Sequence, residues 1–124
     1  MNNEKKVIIV EDEVALSKAL QASLVENNIG FLAAYDGKEA LDMINSQKPD
    51  LILLDLMLPK LDGFALLKIL KDQAETKDIP VIVLSNLGQE DSIAKAVELG
   101  IVDYTVKATV DLEDVIDKIK KYLV

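Results

Sequence analysis

Apolar residues in this chain fall into five short runs, at residues 7–10, 29–34, 51–54, 81–84 and 102–106. Between them, apolar positions recur three and four residues apart. Unbroken runs of aliphatic residues suit strands buried on both faces, as in a parallel sheet covered by helices. The intervening stretches suit amphipathic helices. Leu16, Ala19, Leu20 and Leu24 form the first stripe, with Asp12 placed to cap it and Gly30 just past its end. Asp36-Gly37-Lys38-Glu39 reads as a cap with its reciprocal glutamate, before Ala40, Leu41 and Ile44. Asp62-Gly63 opens a stripe of Phe64, Leu67 and Leu70. Ile93, Ala96 and Val97 precede Gly100, a C-terminal stop. The last stripe is Leu112, Val115, Ile116, Ile119 and Leu123, with acids early and lysines late, which suits the helix dipole.

Five β–α units with right-handed crossovers predict an α/β fold, a doubly wound five-stranded parallel sheet with helices on both faces. No linker, repeat or low-complexity stretch interrupts residues 1–124, so one domain is expected. In such folds, ligands bind beyond the carboxyl ends of the strands, at the topological switch point. Those ends carry unusual chemistry here. Val10 runs into Glu11-Asp12-Glu13, Leu54 into Asp55, Leu84 into Ser85, and Val106 into Lys107.

A dinucleotide or flavin site needs glycines or hydroxyls after the first strand, so that backbone amides can cradle phosphate. Three acids stand there instead, and the glycines, at 30, 37, 63, 88 and 100, form no phosphate loop. Acids at that point repel phosphate and attract a hard divalent cation, Mg²⁺ or Mn²⁺. Asp12 and Asp55, with Glu11 directly or through water, supply its oxygen ligands. A screened Asp55 carboxylate can attack phosphorus, while Lys107 and Ser85 hold the remaining phosphoryl oxygens.

Composition narrows the field further. The net charge of −8 disfavours nucleic acid, and all 14 basic residues are lysine, not the arginine that reads bases and phosphates by paired hydrogen bonds. With no histidine and no cysteine, the chain cannot be a histidine kinase, a thiolate metal site or a cysteine enzyme. No run is long enough to span a bilayer, and the first residues are not a signal-peptide core, so a cytoplasmic protein without membrane contact is expected.

Val10-Glu11-Asp12, Asp55-Leu56-Met57-Leu58-Pro59 with Asp62-Gly63, Leu84-Ser85, and Asp103-Tyr104 leading to Lys107 together resemble a two-component response-regulator receiver domain of the stand-alone, chemotaxis-regulator type. Each element alone has a plain structural explanation; their order and spacing carry the resemblance. It implies a flavodoxin-like sheet of order 2-1-3-4-5, with Asp55 as phosphoacceptor. Glu11 and Asp12 are the implied acid pair, and the Met57 main-chain carbonyl a third metal contact. Ser85 is the implied switch hydroxyl, Tyr104 the switch aromatic, and Lys107 the phosphoryl-binding lysine. Met57 and Leu87 take the positions that flank the attacking water in that family. Both are apolar here, which implies slow self-dephosphorylation.

The implied partners are a histidine kinase or phosphotransfer protein, and a downstream target or second copy on the face of the fourth helix, fifth strand and fifth helix. Such a chain catalyses only its own phosphoryl transfer and loss. Two positions depart from the pattern. Ala108 follows Lys107 where proline is usual, leaving open whether that peptide is cis or trans. Asn86 follows Ser85 where a small residue is common. A phosphorylation-independent interaction module is the alternative reading, disfavoured by the intact set of Asp12, Asp55, Ser85 and Lys107. A haloacid-dehalogenase-type phosphatase would need an Asp where Met57 stands.

Overall fold

The computed structural model describes residues 5–109 and 111–123. Among them, strands β1 (Lys6–Val10), β2 (Gly30–Ala34), β3 (Leu51–Leu54), β4 (Val81–Ser85) and β5 (Asp103–Val106) alternate with helices. The helices are α1 (Val14–Glu26), α2 (Gly37–Gln47), α3 (Gly63–Lys71), α4 (Glu90–Glu98) and α5 (Leu112–Leu123), and a 3₁₀ turn covers Lys107–Thr109. All strands pair parallel, in the order β2-β1-β3-β4-β5. This is the doubly wound sheet that the alternating pattern predicts, in the flavodoxin-like order that the family resemblance implies.

Consecutive apolar residues are needed because alternate side chains enter separate cores. Val7, Ile9, Leu51, Leu53, Ile82 and Leu84 meet Leu20 and Leu24 of α1 and Val115, Ile116 and Ile119 of α5. Ile8, Val10, Ile52, Leu54, Val81 and Val83 meet Ala40 and Ile44 of α2 and Leu66, Leu67 and Leu70 of α3. Each fully buried aliphatic side chain contributes on the order of 1.5–3 kcal/mol, so the strands of the sheet centre anchor both layers. By contrast, α4 buries only Ala96 outright and leaves Val97 exposed.

The sheet registers Val10 opposite Leu54 and Leu54 opposite Val83. The ladder then runs one residue further, with the Asp55 N–H on the Val10 carbonyl at 3.0 Å and the Glu11 N–H on the Ala34 carbonyl at 3.1 Å. Winding reverses between β1 and β3, so no helix covers their carboxyl ends. That opening is where the acids emerge.

Most helix termini follow their local signals. Asp36 accepts from the Glu39 N–H at 2.7 Å, while the Glu39 carboxylate reaches back to the Tyr35 N–H at 2.7 Å. Asp62 caps α3 through the Ala65 N–H at 3.0 Å, and Gly100 has φ +89° after α4. Two signals fail at α1. Its N-cap is Glu13, without a side-chain cap bond, and not Asp12. The Asp12 side chain stands exposed in the acid loop instead. Gly30 opens β2 and does not stop α1; the turn is made by Asn27 and by Asn28 at φ 59°. Asparagine tolerates the left-handed region, which makes a glycine unnecessary there. Lys107–Ala108 is trans, as no cis peptide occurs among the described residues.

Gly63 lies against the β3–α3 loop: a Cβ there would stand 2.5 Å from Leu56 Cα and 2.6 Å from the Asp55 carbonyl oxygen. Gly37 is tighter still, at 1.8 Å from the Leu61 carbonyl oxygen. The obstacle at both is backbone that cannot rotate away. Gly63→Ala and Gly37→Ala are each expected to lower unfolding stability by about 1–3 kcal/mol, the range for overpacking. Gly88→Ala, whose new Cβ meets only Val106 side-chain atoms at 3.4 Å and 3.6 Å, should be milder in a urea melt. Equal midpoints for all three would contradict this packing.

Candidate functional site

The parallel ladder brings Glu11 and Asp55 to adjacent strand ends, and the β1–α1 turn adds Asp12. One carboxylate oxygen from each of the three lies within 4.8 Å of the other two. Six oxygens around a magnesium at about 2.1 Å stand roughly 3–4.2 Å apart, so a small contraction suffices for this all-oxygen set. The acids differ in surroundings. Glu11 and Asp55 are 2% and 4% exposed, whereas Asp12 is open to solvent.

Two buried carboxylates side by side repel, and burial makes both charges costly. Lys107 resolves the conflict. Its Nζ lies 2.8 Å from Asp55 Oδ2, 2.8 Å from Glu11 Oε1 and 3.0 Å from Glu11 Oε2, with the lysine side chain 11% exposed. Glu13 Oε2 is a further 4.0 Å neighbour. Backbone amides complete the satisfaction: the Met57 N–H donates to Asp55 Oδ1 and the Glu13 N–H to Glu11 Oε2, both at 3.0 Å. Burial holds the Glu11 carboxyl above its ordinary range, against the bonds from Lys107 and Glu13. For Lys107, burial alone would favour the neutral amine, but the hydrogen bonds to Asp55 and Glu11 prevail and hold its pKa above the ordinary value.

A second layer sits beside this cluster. Ser85, fully buried at the end of β4, accepts at Oγ from the Leu87 N–H at 3.3 Å. The Tyr104 hydroxyl donates to the Leu87 carbonyl, and its half-buried ring packs on the α2–α3 core. Burial, and then the nearby Asp55 charge, push the Tyr104 phenol up. The aromatic is thus folded over the β4–α4 loop. Leu87 itself packs against the same core.

A cavity of about 320 Å³ opens over Asp55, lined by Asp12, Glu13, Asp55, Met57, Asn86 and Lys107. Of the positions singled out by sequence, Glu11, Asp12, Asp55 and Lys107 converge directly, Met57 and Asn86 form walls, and Ser85 with Tyr104 supports the adjoining loop. Glu13 was not among them, although the Glu-Asp-Glu run placed a third acid at the same turn. A larger cleft of about 870 Å³ adjoins, with Leu56, Leu58, Phe64 and Leu99 among its walls and Lys95 Nζ 4.4 Å from the centre of the Phe64 ring. It shares Asp12 and Met57 with the smaller cavity.

Comparison with known proteins gives this site a context. The family model for the response regulator receiver domain matches residues 7–120. The phosphate regulon transcriptional regulatory protein PhoB of Klebsiella pneumoniae is 37% identical over 103 residues, covering 83% of this chain and 45% of that protein. The alkaline phosphatase synthesis transcriptional regulatory protein PhoP of Bacillus subtilis is 39% identical over 103 residues, covering 83% of this chain and 42% of its own length. The chain spans about half the length of these curated relatives. Among solved structures, the receiver domain of the Francisella response regulator 1452 is similar with a TM-score of 0.89 and 33% identity, over 97% of each chain. Fold, strand-end acids and the family match over nearly all of its length agree: the chain belongs to the response regulator receiver domain family.

Proposed function

We propose that residues 1–124 form one receiver unit, a phosphorylation-activated switch in which Asp55 takes a phosphoryl group from a partner's phosphohistidine. One observation carries the reading. The Asp55 carboxylate is buried, oriented by the Met57 N–H and the Lys107 ammonium, yet faces a cavity large enough for a phosphoryl donor. Asp12, Asp55 and the Met57 main-chain carbonyl, with Glu11 directly or through water, would hold Mg²⁺ or Mn²⁺. The bound ion would offset the acids' charge and polarise a phosphoryl oxygen.

The chain's own groups divide the remaining work. An Asp55 carboxylate oxygen attacks phosphorus as the phosphorus–nitrogen bond to the donor imidazole breaks, and the leaving ring nitrogen takes a proton from solvent. Lys107, already 2.8 Å from Asp55 Oδ2, follows the charge onto a phosphoryl oxygen. Because Ser85 Oγ serves only as acceptor toward Leu87 N–H, its own proton is free to donate to another. The protein acts on itself alone and is a switch more than a classical enzyme.

Moving the Ser85 hydroxyl toward the phosphoryl group loosens its bond to Leu87, whose carbonyl the Tyr104 hydroxyl also holds. The β4–α4 loop and Tyr104 therefore respond together, biasing the face of α4, β5 and α5 between two states. A downstream protein or second copy binds that face. Nucleic acid is not proposed as a partner of this domain: its net charge is −8, and the regulators it resembles extend well beyond the part that it matches. No helix of the described residues is long and apolar enough to cross a membrane, and we place the reaction in the cytoplasm, where a kinase's phosphohistidine is available.

Two experiments test the reading. Acetyl phosphate with Mg²⁺ should add one phosphoryl group by intact mass, and Asp55→Asn should add none. A wild-type mass unchanged in excess donor would instead favour a phosphorylation-independent interaction module. Beryllofluoride with Mg²⁺, mimicking the phosphoryl group, should shift amide NMR signals at Ser85–Gly88 and Asp103–Lys107 as well as around Asp55. Shifts confined to the acid pocket would show a site that binds without switching.

A further inference from the structure

In-line transfer to Asp55 puts the donor's leaving group on the far side of phosphorus from the attacking oxygen. The leaving group therefore points out of the cavity over Asp55. That cavity is walled by charge, with Asp12, Glu13, Asp55 and Lys107 in its lining, and offers an alkyl group little to pack on. The adjoining cleft differs in size and chemistry. It measures about 870 Å³, between the β3–α3 loop and helices α3 and α4, and Leu56, Leu58, Phe64, Ala65 and Leu99 line it with hydrocarbon. The two spaces share Asp12 and Met57 as walls. Met57 is 56% exposed, and its unbranched thioether adapts to a chain passing from one space to the other.

A largely apolar lining with a few polar groups, at this volume, suits a small molecule. Charge selects the sign of the occupant. Lys68 and Lys95 both line the cleft. Lys95 Nζ stands over the Phe64 ring and has no carboxylate within 4.0 Å among the described residues. Lys68 pairs with Asp72 at 3.7 Å, but both side chains are well exposed, so the pair is weak. Of the acids in the walls, Asp62 Oδ1 is held by the Ala65 N–H at 3.0 Å, and Asp12 belongs to the proposed metal site. That leaves Glu98 against two ammoniums. In a chain of net charge −8, such a place draws an anion with an apolar tail.

Resting on the reading of Asp55 as phosphoacceptor, we propose that this cleft is a leaving-group subsite, which makes the chain favour acyl phosphates with a long apolar acyl group over acetyl phosphate. An Asp55 carboxylate oxygen bonds to phosphorus as the bond from phosphorus to the acyl oxygen breaks. The electron pair of that bond leaves on the released carboxylate, so no proton is required. The acyl chain lies along Leu56, Leu58, Phe64 and Leu99 before and during transfer. Its burial therefore raises the loading rate at low donor concentration and not at saturation.

The test compares initial loading rates, by intact mass, from hexanoyl phosphate and acetyl phosphate at equal concentrations well below saturation in Mg²⁺. The two leaving carboxylates are of nearly equal basicity, so the donors are matched in intrinsic reactivity. Four added methylenes, partly buried, should give wild type a preference of about tenfold or more for the longer donor. Ala65→Leu fills the cleft and keeps the backbone cap, and Phe64→Ala removes a wall; each should cut that preference by about threefold or more. Each variant is its own reference, because misfolding lowers both rates alike. Lys95→Met should slow both donors by about twofold or more without closing their ratio, since its charge acts on the phosphate end they share. Equal wild-type rates, or a preference that both cleft variants leave intact, overturn the subsite and leave the cleft to an apolar side chain of a protein donor. Lys95→Met as fast as wild type overturns it too, by removing the charge that selects an anion. Wild type that loads from neither donor removes the phosphoacceptor reading itself, an outcome distinct from loading without preference.

Discussion

Two carboxylates that cannot both sit in a dry strand-end without a cation define this molecule. The β1–β3 register leaves Glu11 and Asp55 side by side, both almost wholly buried. Neither can escape: their backbones are fixed by ladder bonds to Ala34 and Val10. Removing one partner from a buried ionic cluster costs several kcal/mol, so the ammonium of Lys107, delivered from the far edge of the sheet, is part of the fold as well as of the chemistry. The same cluster is where the proposed divalent ion and phosphoryl group would rearrange the charge without abolishing it.

Lys107 follows β5 directly, and β5 also carries Tyr104. Chemistry at Asp55 and the conformation of the loop after β4 are therefore read by one strand. Tyr104 holds the Leu87 carbonyl while the Leu87 N–H holds Ser85 Oγ, so three residues share two hydrogen bonds in a row. Such a chain is short enough to move as a unit, and α4 beyond it is the least buried helix of the described set. Weak anchoring of α4 and rigid anchoring of the acid side suit the proposed switch.

The fold was legible because short apolar runs alternating with helical stripes admit little besides a covered parallel sheet, and every expected strand appears within one residue of its expected bounds. Asp36 and Asp62 were legible as caps because their local geometry needs no distant partner. Asp12 was misread for the opposite reason: nothing in a local capping rule reveals that the acid loop must stay open, so Glu13 begins the helix uncapped. The convergence of Glu11, Asp12, Asp55 and Lys107 followed from placing each at a strand end. Side-chain direction beyond the strand ends was not legible. That Asn86 and not Leu87 lines the cavity over Asp55 is a tertiary fact that sequence spacing does not contain.

We take Lys107 to be the resident counter-cation of a site built for more positive charge. Calorimetric titration of Mg²⁺ into wild type and Lys107→Met addresses it directly. Losing one unit charge a few ångströms from the acids is worth more than 1.4 kcal/mol at an effective dielectric near 20, so the variant should bind Mg²⁺ at least about tenfold more tightly. Unchanged or weaker Mg²⁺ binding by Lys107→Met would contradict the account.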